Sequence, residues 1–305
     1  MKHRKIIRCF GVLEIVLLLT LLSGALSELN ADTVESIPLH RSPVSCGVPS
    51  GTPWEQNYIL REVPNALGTI LLFTGGDGRL NLNVIEGPNG DTSSSQFGIN
   101  KSANFLVRSR HLFASFGFNV AVVDAAPDFL NCQNGLGGWR LSPQHLQDIK
   151  DVIGNLRGKF PSKPVWVMGT SMGSISAAQA ATIPKDIPGV PLGFYHLDGL
   201  VLTSSVTASD NSGAETVLMV NLEAIRIPTL IVSHGQDTCL ATPPNDAWKI
   251  RSRLSSAPVR DIRILWGGFA PLSNECDALS YHGFFGIEPV AAAQISFWIK
   301  NHLTP

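Results

Sequence analysis

Gly169-Thr170-Ser171-Met172-Gly173 is the stretch that decides how this chain reads. It follows a short apolar run, Pro164-Val165-Trp166-Val167-Met168, with the character of a strand. It precedes Ser174-Ile175-Ser176-Ala177-Ala178-Gln179-Ala180-Ala181, a small-residue segment that reads as a helix. A Gly-x-Ser-x-Gly pentapeptide between strand and helix is a sharp turn that presents its serine. The serine sits in a strained conformation there, and side chains at Gly169 and Gly173 would collide with neighbouring elements. Ser171 is therefore the candidate nucleophile. The N–H of Met172 lies beside it, at the positive end of the following helix, where a developing anion is favoured.

Outward from this turn, β-rich apolar runs alternate with helical stretches. Strands are expected at 69–73, 119–124, 165–168, 199–203, 229–233 and 261–266. Helical spacing marks 104–116, closed by Gly117, and a second helix starts at Ser142-Pro143 with proline at its first position. A last helix runs from about Pro289 to His302. Runs apolar on both faces belong to strands buried between helix layers. The fold class is α/β, a doubly wound and mostly parallel sheet. Residues 60–305 form one such domain, preceded by an irregular N-terminal lead at 28–59.

Residues 1–27 read as a signal peptide. A basic start, Lys2 to Arg8, leads into an apolar run cleanest from Ile15 to Leu22 and then into Ser23-Gly24-Ala25. Cleavage falls near residues 25–27, and the uninterrupted apolar part is shorter than the ~20 residues a bilayer needs. The mature chain is expected to be secreted or periplasmic, with no membrane span. The net charge is −1, and no basic run survives signal removal, which excludes the electrostatic footprint of a nucleic-acid binder. Four cysteines then remain, Cys46, Cys132, Cys239 and Cys276. An even number in an exported chain suggests two disulfides, for which three connectivities exist.

A serine hydroxyl needs a base, and the base needs an acid to fix its tautomer. After a turn of this kind the chain order is Ser, acid, His. The strand ending at Ser233 runs into His234-Gly235-Gln236-Asp237, which makes Asp237 the candidate acid; Asp210 is the alternative. His282, in the glycine-bearing loop Ser280 to Gly286, is the candidate base; His302 sits in the terminal helix, and His234 precedes the acid. Thr74-Gly75-Gly76-Asp77-Gly78 follows the strand ending at Phe73 and allows close backbone approach. Gly76, with Gly75 as the alternative, would supply the second oxyanion donor beside Met172.

These residues together resemble the α/β-hydrolase superfamily over roughly Leu60 to Leu303. The resemblance implies a serine hydrolase with no metal and no organic cofactor. The Gly-Thr-Ser-Met-Gly form is also similar to secreted cutinase-like and polyester-hydrolase enzymes, some of which link the acid loop to the histidine loop by a disulfide. If Asp237 and His282 meet, Cys239 pairs with Cys276, which leaves Cys46–Cys132. The connection between the strands ending near Thr203 and starting near Thr229 has no room for a large cap domain. Trp139 and Phe284 are candidate linings of an open site. The expected function is cleavage of a small-molecule or polymeric carboxylic ester through Ser171, Asp237 and His282. An amidase, peptidase or acyltransferase using the same residues is the first alternative, and a catalytically silent binding protein is the second.

Overall fold

The computed structural model describes residues 31–82, 102–209 and 214–303. The expected signal peptide and Asp210 lie outside the described residues. Eight strands form one sheet: β1 Asp32–Pro38, β2 Glu55–Arg61, β3 Thr69–Phe73, β4 Asn119–Val123, β5 Val165–Thr170, β6 Gly199–Thr203, β7 Thr229–His234 and β8 Arg260–Leu265. Their order across the sheet is β1-β2-β4-β3-β5-β6-β7-β8. From β4 to β8 all pairings are parallel, whereas β2 runs antiparallel to both β1 and β4. Six of these strands stand where apolar runs predict them.

The residues of each central strand alternate between two cores, as the two-residue strand period demands. On one face, Leu71, Phe73, Ala121, Val123, Val167, Leu200 and Leu202 pack with Ile149, Ile153 and Leu156 of helix α3 (Pro143–Lys159), with Ile175 of α4 (Gly173–Ala181), and with Ile250 of α5 (Ala247–Arg253). On the other, Ile70, Leu72, Val120, Val122, Trp166, Met168 and Val201 meet Phe105, Leu106 and Phe113 of α1 (Phe105–Ser115) and Ile295 and Trp298 of α6 (Glu288–Lys300). Burial on both sides explains why these strands read as unbroken apolar runs.

Helix ends follow their capping residues. The Asn104 side chain accepts from Leu106 N, and Ser142 Oγ accepts from His145 N ahead of Pro143. Gly117 adopts φ 90° beyond α1, a conformation that only glycine takes without strain.

The lead at 28–59 departs from expectation. It carries β1 and most of β2. Both run seven residues and mix polar with apolar positions, and their regularity comes from pairing, β1 with β2 and β2 with β4, rather than from their own composition. Arg41 anchors the segment between them. Its guanidinium spans Asp128 of the short helix α2 (Pro127–Asn131) and Asp148 of α3, at 2.6 Å to each, between the rings of Trp54 and Phe129. Cys46 is disulfide-bonded to Cys132 at the end of α2.

Candidate active site

The turn after β5 has the predicted geometry. Ser171 takes φ 54°, in the left-handed region, and its N–H donates to Thr203 O at 3.0 Å. Its carbonyl accepts from the N–H and hydroxyl of Ser174, at 3.0 and 2.6 Å, which starts α4 directly behind it. A Cβ on Gly169 would lie 2.1 Å from Gly173 O, and one on Gly173 would lie 2.2 Å from Phe73 O. The two glycines are therefore steric requirements of the turn.

The loop after β3 lies against this turn. A Cβ on Gly75 would sit 2.8 Å from Ser171 Cβ and 3.4 Å from its Oγ. Gly76 has φ 60°, and Gly78 N donates to Gly75 O at 3.4 Å. Asp124, at the end of β4, gathers the chain just beyond. Its carboxylate accepts from the amides of Leu80, Leu82 and Ala125 at 2.6, 3.0 and 2.7 Å. Burial pushes this carboxyl up to about 6, against the pull of those amides.

Asp237 and His282 meet although 45 residues separate them. His282 Nδ1 donates to Asp237 Oδ2 at 3.0 Å with both side chains buried. Cys239 N donates to Oδ1 at 2.9 Å, and Thr242 Oγ1 donates to Oδ2 at 2.9 Å. This leaves the other ring nitrogen of His282, Nε2, as the basic one. His282 is itself held by its backbone. Its carbonyl accepts from Ser204 Oγ at 2.8 Å, and the next carbonyl, Gly283 O, accepts from Arg108. The second disulfide joins Cys239 to Cys276, tying the loop of Asp237 to the loop before His282. Ser171, His282, Gly75, Gly76, Phe105 and Cys276 line one cavity.

His234 is turned away from this arrangement. Its Nδ1 accepts from Gln236 N at 3.1 Å, its Nε2 donates to Gly267 O at 2.9 Å, and its ring stacks on Tyr281. Burial lowers its pKa. His302, at the end of α6, lies with Nδ1 2.7 Å from Trp298 O.

The two lining candidates are corrected. Phe284 is wholly buried and packs on Phe105, ring centroids 4.8 Å apart, and Phe105 rather than Phe284 is among the residues lining the cavity. Trp139 packs on Phe129, 5.8 Å between centroids, in the small core under the lead and is not among the residues lining the cavity. Each ring instead packs with a hydrophobic cluster of the core, Phe284 the one beneath α1 and α6 and Trp139 the small one under the lead.

Two residues here escape sequence reading. Thr242 contacts both Asp237 and His282, its Oγ1 lying 3.0 Å from Nδ1. Arg140 is wholly buried and reaches the loop after β3. A lone threonine or arginine carries no signal until the loops that surround it are folded. Among the described residues no three His, Cys, Asp or Glu side chains converge as metal ligands would. No described helix is long and apolar enough to cross a membrane.

No protein-family model and no curated protein matches the sequence. Solved structures do match. An esterase of Pyrococcus furiosus superposes with TM-score 0.55 at 12% identity, covering 90% of this chain and 94% of its own. Dienelactone hydrolase from Anabaena variabilis gives 0.53 at 13%, covering 90% and 100%. An acylaminoacyl peptidase of Pyrococcus horikoshii gives 0.54 at 11% and covers 90% of this chain, which spans 42% of that longer one. The chain has the α/β-hydrolase fold.

Proposed function

We propose that this α/β-hydrolase-fold protein is an exported serine hydrolase that cleaves a carboxylic ester through an acyl-enzyme on Ser171. The observation that carries the reading is the buried Asp237–His282 contact beside a cavity that also contains a left-handed serine at a strand-to-helix turn. Nothing in simple packing calls for that combination, since an L-residue in the left-handed region costs about 1–2 kcal/mol.

In this reading His282 Nε2 takes the Ser171 proton as Oγ attacks the ester carbonyl. Asp237 holds the ring in the tautomer that leaves Nε2 basic and stabilises the imidazolium that forms. The amides of Met172 and Gly76 hold the oxyanion, each donor of this kind contributing about 2.7–4 kcal/mol to the barrier. His282 then protonates the leaving alcohol, and water activated by the same nitrogen releases the acid. Thr242 shares the Asp237 carboxylate with His282 and helps to orient it. The connection between β6 and β7, residues 204–228, is short, which favours an open site and leaves a polymeric ester as readily accommodated as a small one. Export is supported by the two disulfides, which belong to an oxidising compartment.

Replacing Ser171 with alanine tests the proposal. Turnover of p-nitrophenyl esters and labelling by a fluorophosphonate probe are both expected to vanish while the melting temperature stays near wild type. Retained turnover in the folded variant would reject the assignment. A panel of esters of increasing acyl length, run beside peptide substrates, separates esterase from amidase.

A further inference from the structure

We propose that Arg140 is a positioning residue that clamps the loop carrying Gly75 and Gly76 to helix α4, just after Ser171, and so sets the separation of the two oxyanion donors; this rests on the serine-hydrolase reading above. Arg140 is fully buried. Its Nη2 donates to Gly76 O at 2.9 Å and to Thr74 O at 3.2 Å, the carbonyls on either side of the Gly75–Gly76 peptide. Its Nη1 donates to Ser176 Oγ on α4 at 2.7 Å. One rigid, planar group thus touches both halves of the proposed oxyanion hole. Met172 N–H belongs to the start of α4, and Gly76 N–H belongs to the loop.

The remaining contacts hold the guanidinium in that place. Glu215 accepts from the backbone amides of Gly138, Arg140 and Leu141 at 3.0, 3.2 and 2.9 Å, which fixes the Arg140 backbone. His145 Nε2 lies 2.9 Å from Ser176 Oγ. Burial and the charges of Arg140 and Arg41 keep that imidazole neutral, so no second cation competes with the guanidinium, and Oγ accepts from Arg140. Arg140 itself loses basicity to burial but, at about 10, stays charged at neutral pH, helped by Glu215 and Asp77. A side chain present for packing alone would not be a cation. Its acceptors are a hydroxyl and two carbonyls, and its Nε has no partner among the described residues. Burying such a group is costly, and an apolar residue of similar volume would fill the space at lower cost. What a methionine would not reproduce is the three-point grip on Thr74, Gly76 and Ser176.

The clamp acts on donors that matter most in the transition state, so its loss should appear in kcat and hardly in KM. Arg140→Met, Arg140→Lys and Ser176→Ala are to be compared with wild type on p-nitrophenyl acetate, well below each variant's melting temperature and with circular dichroism as the check on folding. Arg140→Met is expected to lower kcat about 10–100-fold with KM within about twofold, less than outright removal of one donor. Arg140→Lys, which can hold one carbonyl, should recover part of that loss. Ser176→Ala should lower kcat about 3–10-fold by freeing one end of the clamp. If Arg140→Met does not fold, the lysine and Ser176→Ala variants decide. Wild-type kcat in the folded variants, whatever their melting temperatures, overturns the proposal. Absence of both ester turnover and fluorophosphonate labelling in wild type overturns the serine-hydrolase reading, and the clamp's role with it.

Discussion

The strain at Ser171 can be measured without substrate. Ser171→Ala and Ser171→Gly both remove the hydroxyl, so any stability difference between them reports the backbone. At φ 54° an alanine carries the same left-handed cost as the serine, about 1–2 kcal/mol, and glycine does not. Against that, glycine is entropically dearer to order by roughly 0.5–1 kcal/mol. Ser171 is only half-buried, so loss of its Cβ removes little packing. The net expectation is that Ser171→Gly is more stable than Ser171→Ala by about 0.5–1 kcal/mol, a melting temperature higher by about 1–4 °C for a chain of this size. Ser162, at φ 62° in an exposed turn, is the control. Ser162→Gly should exceed Ser162→Ala by a similar margin with turnover untouched. Differential scanning calorimetry on the four variants settles it. If Ser171→Ala melts at or above Ser171→Gly while the Ser162 pair behaves as expected, the backbone at Ser171 is not strained and the argument from strain to function fails.

Acid should act through His145, whose pKa burial depresses from 6.5 to about 3, with Arg140 and Arg41 adding to the shift. Folding favours its neutral form, so its contribution is complete above about pH 6.5 and is lost toward pH 3 at about 1.4 kcal/mol per pH unit. Between pH 7 and 4.5 wild type should therefore lose about 2–3 kcal/mol more than His145→Gln in urea denaturation, and parallel losses would refute the assignment. The disulfides separate stability from chemistry. Bridges closing loops with separations of 86 and 37 residues contribute about 4.6 and about 3.8 kcal/mol respectively in the chain-entropy model. Paired alanine substitution at Cys46 and Cys132 should lower the melting temperature with kcat intact, whereas substitution at Cys239 and Cys276 should lower both. Equal kinetic effects from the two pairs would show that the second bridge has no special bearing on the Asp237 and His282 loops.

What could be read in advance, and what could not, follows from the range of the forces involved. Gly169 and Gly173 are explained by atoms a few residues away or one strand over, Gly173 O and Phe73 O, so a pentapeptide with a strand before it and a helix after it carries most of the information. The central strands are legible for a related reason. Helices cover both of their faces, and each strand advertises its burial in its own residues. β1 and β2 fail that test because their order is borrowed from their neighbours, β1 from β2 and β2 from β4. Phe284 and Trp139 fail differently. An aromatic in a loop near a site looks the same in sequence whether it faces a cavity or the core beneath it, and here each fills the core.

Arg140 shows why the site reaches further than its motif. The turn after β5 places Ser171 and Met172 by local sterics, but the proposed second oxyanion donor, Gly76, rides on a separate loop, after β3 rather than β5. Local sterics hold the contact between them where Gly75 abuts Ser171 and where Gly173 abuts Thr74 O. A donor must stand within a few tenths of an ångström of its place when charge develops on the carbonyl oxygen, because the stabilisation comes from dipoles already oriented before reaction. Something must hold that loop from behind, and the group found there is a guanidinium spanning both elements. Its sequence address, 31 residues before Ser171, has no fixed relation to either, since only folding brings the turn ahead of α3 against the end of β3. Motif and clamp are thus two solutions to one positional problem, the first written locally and the second written in the topology.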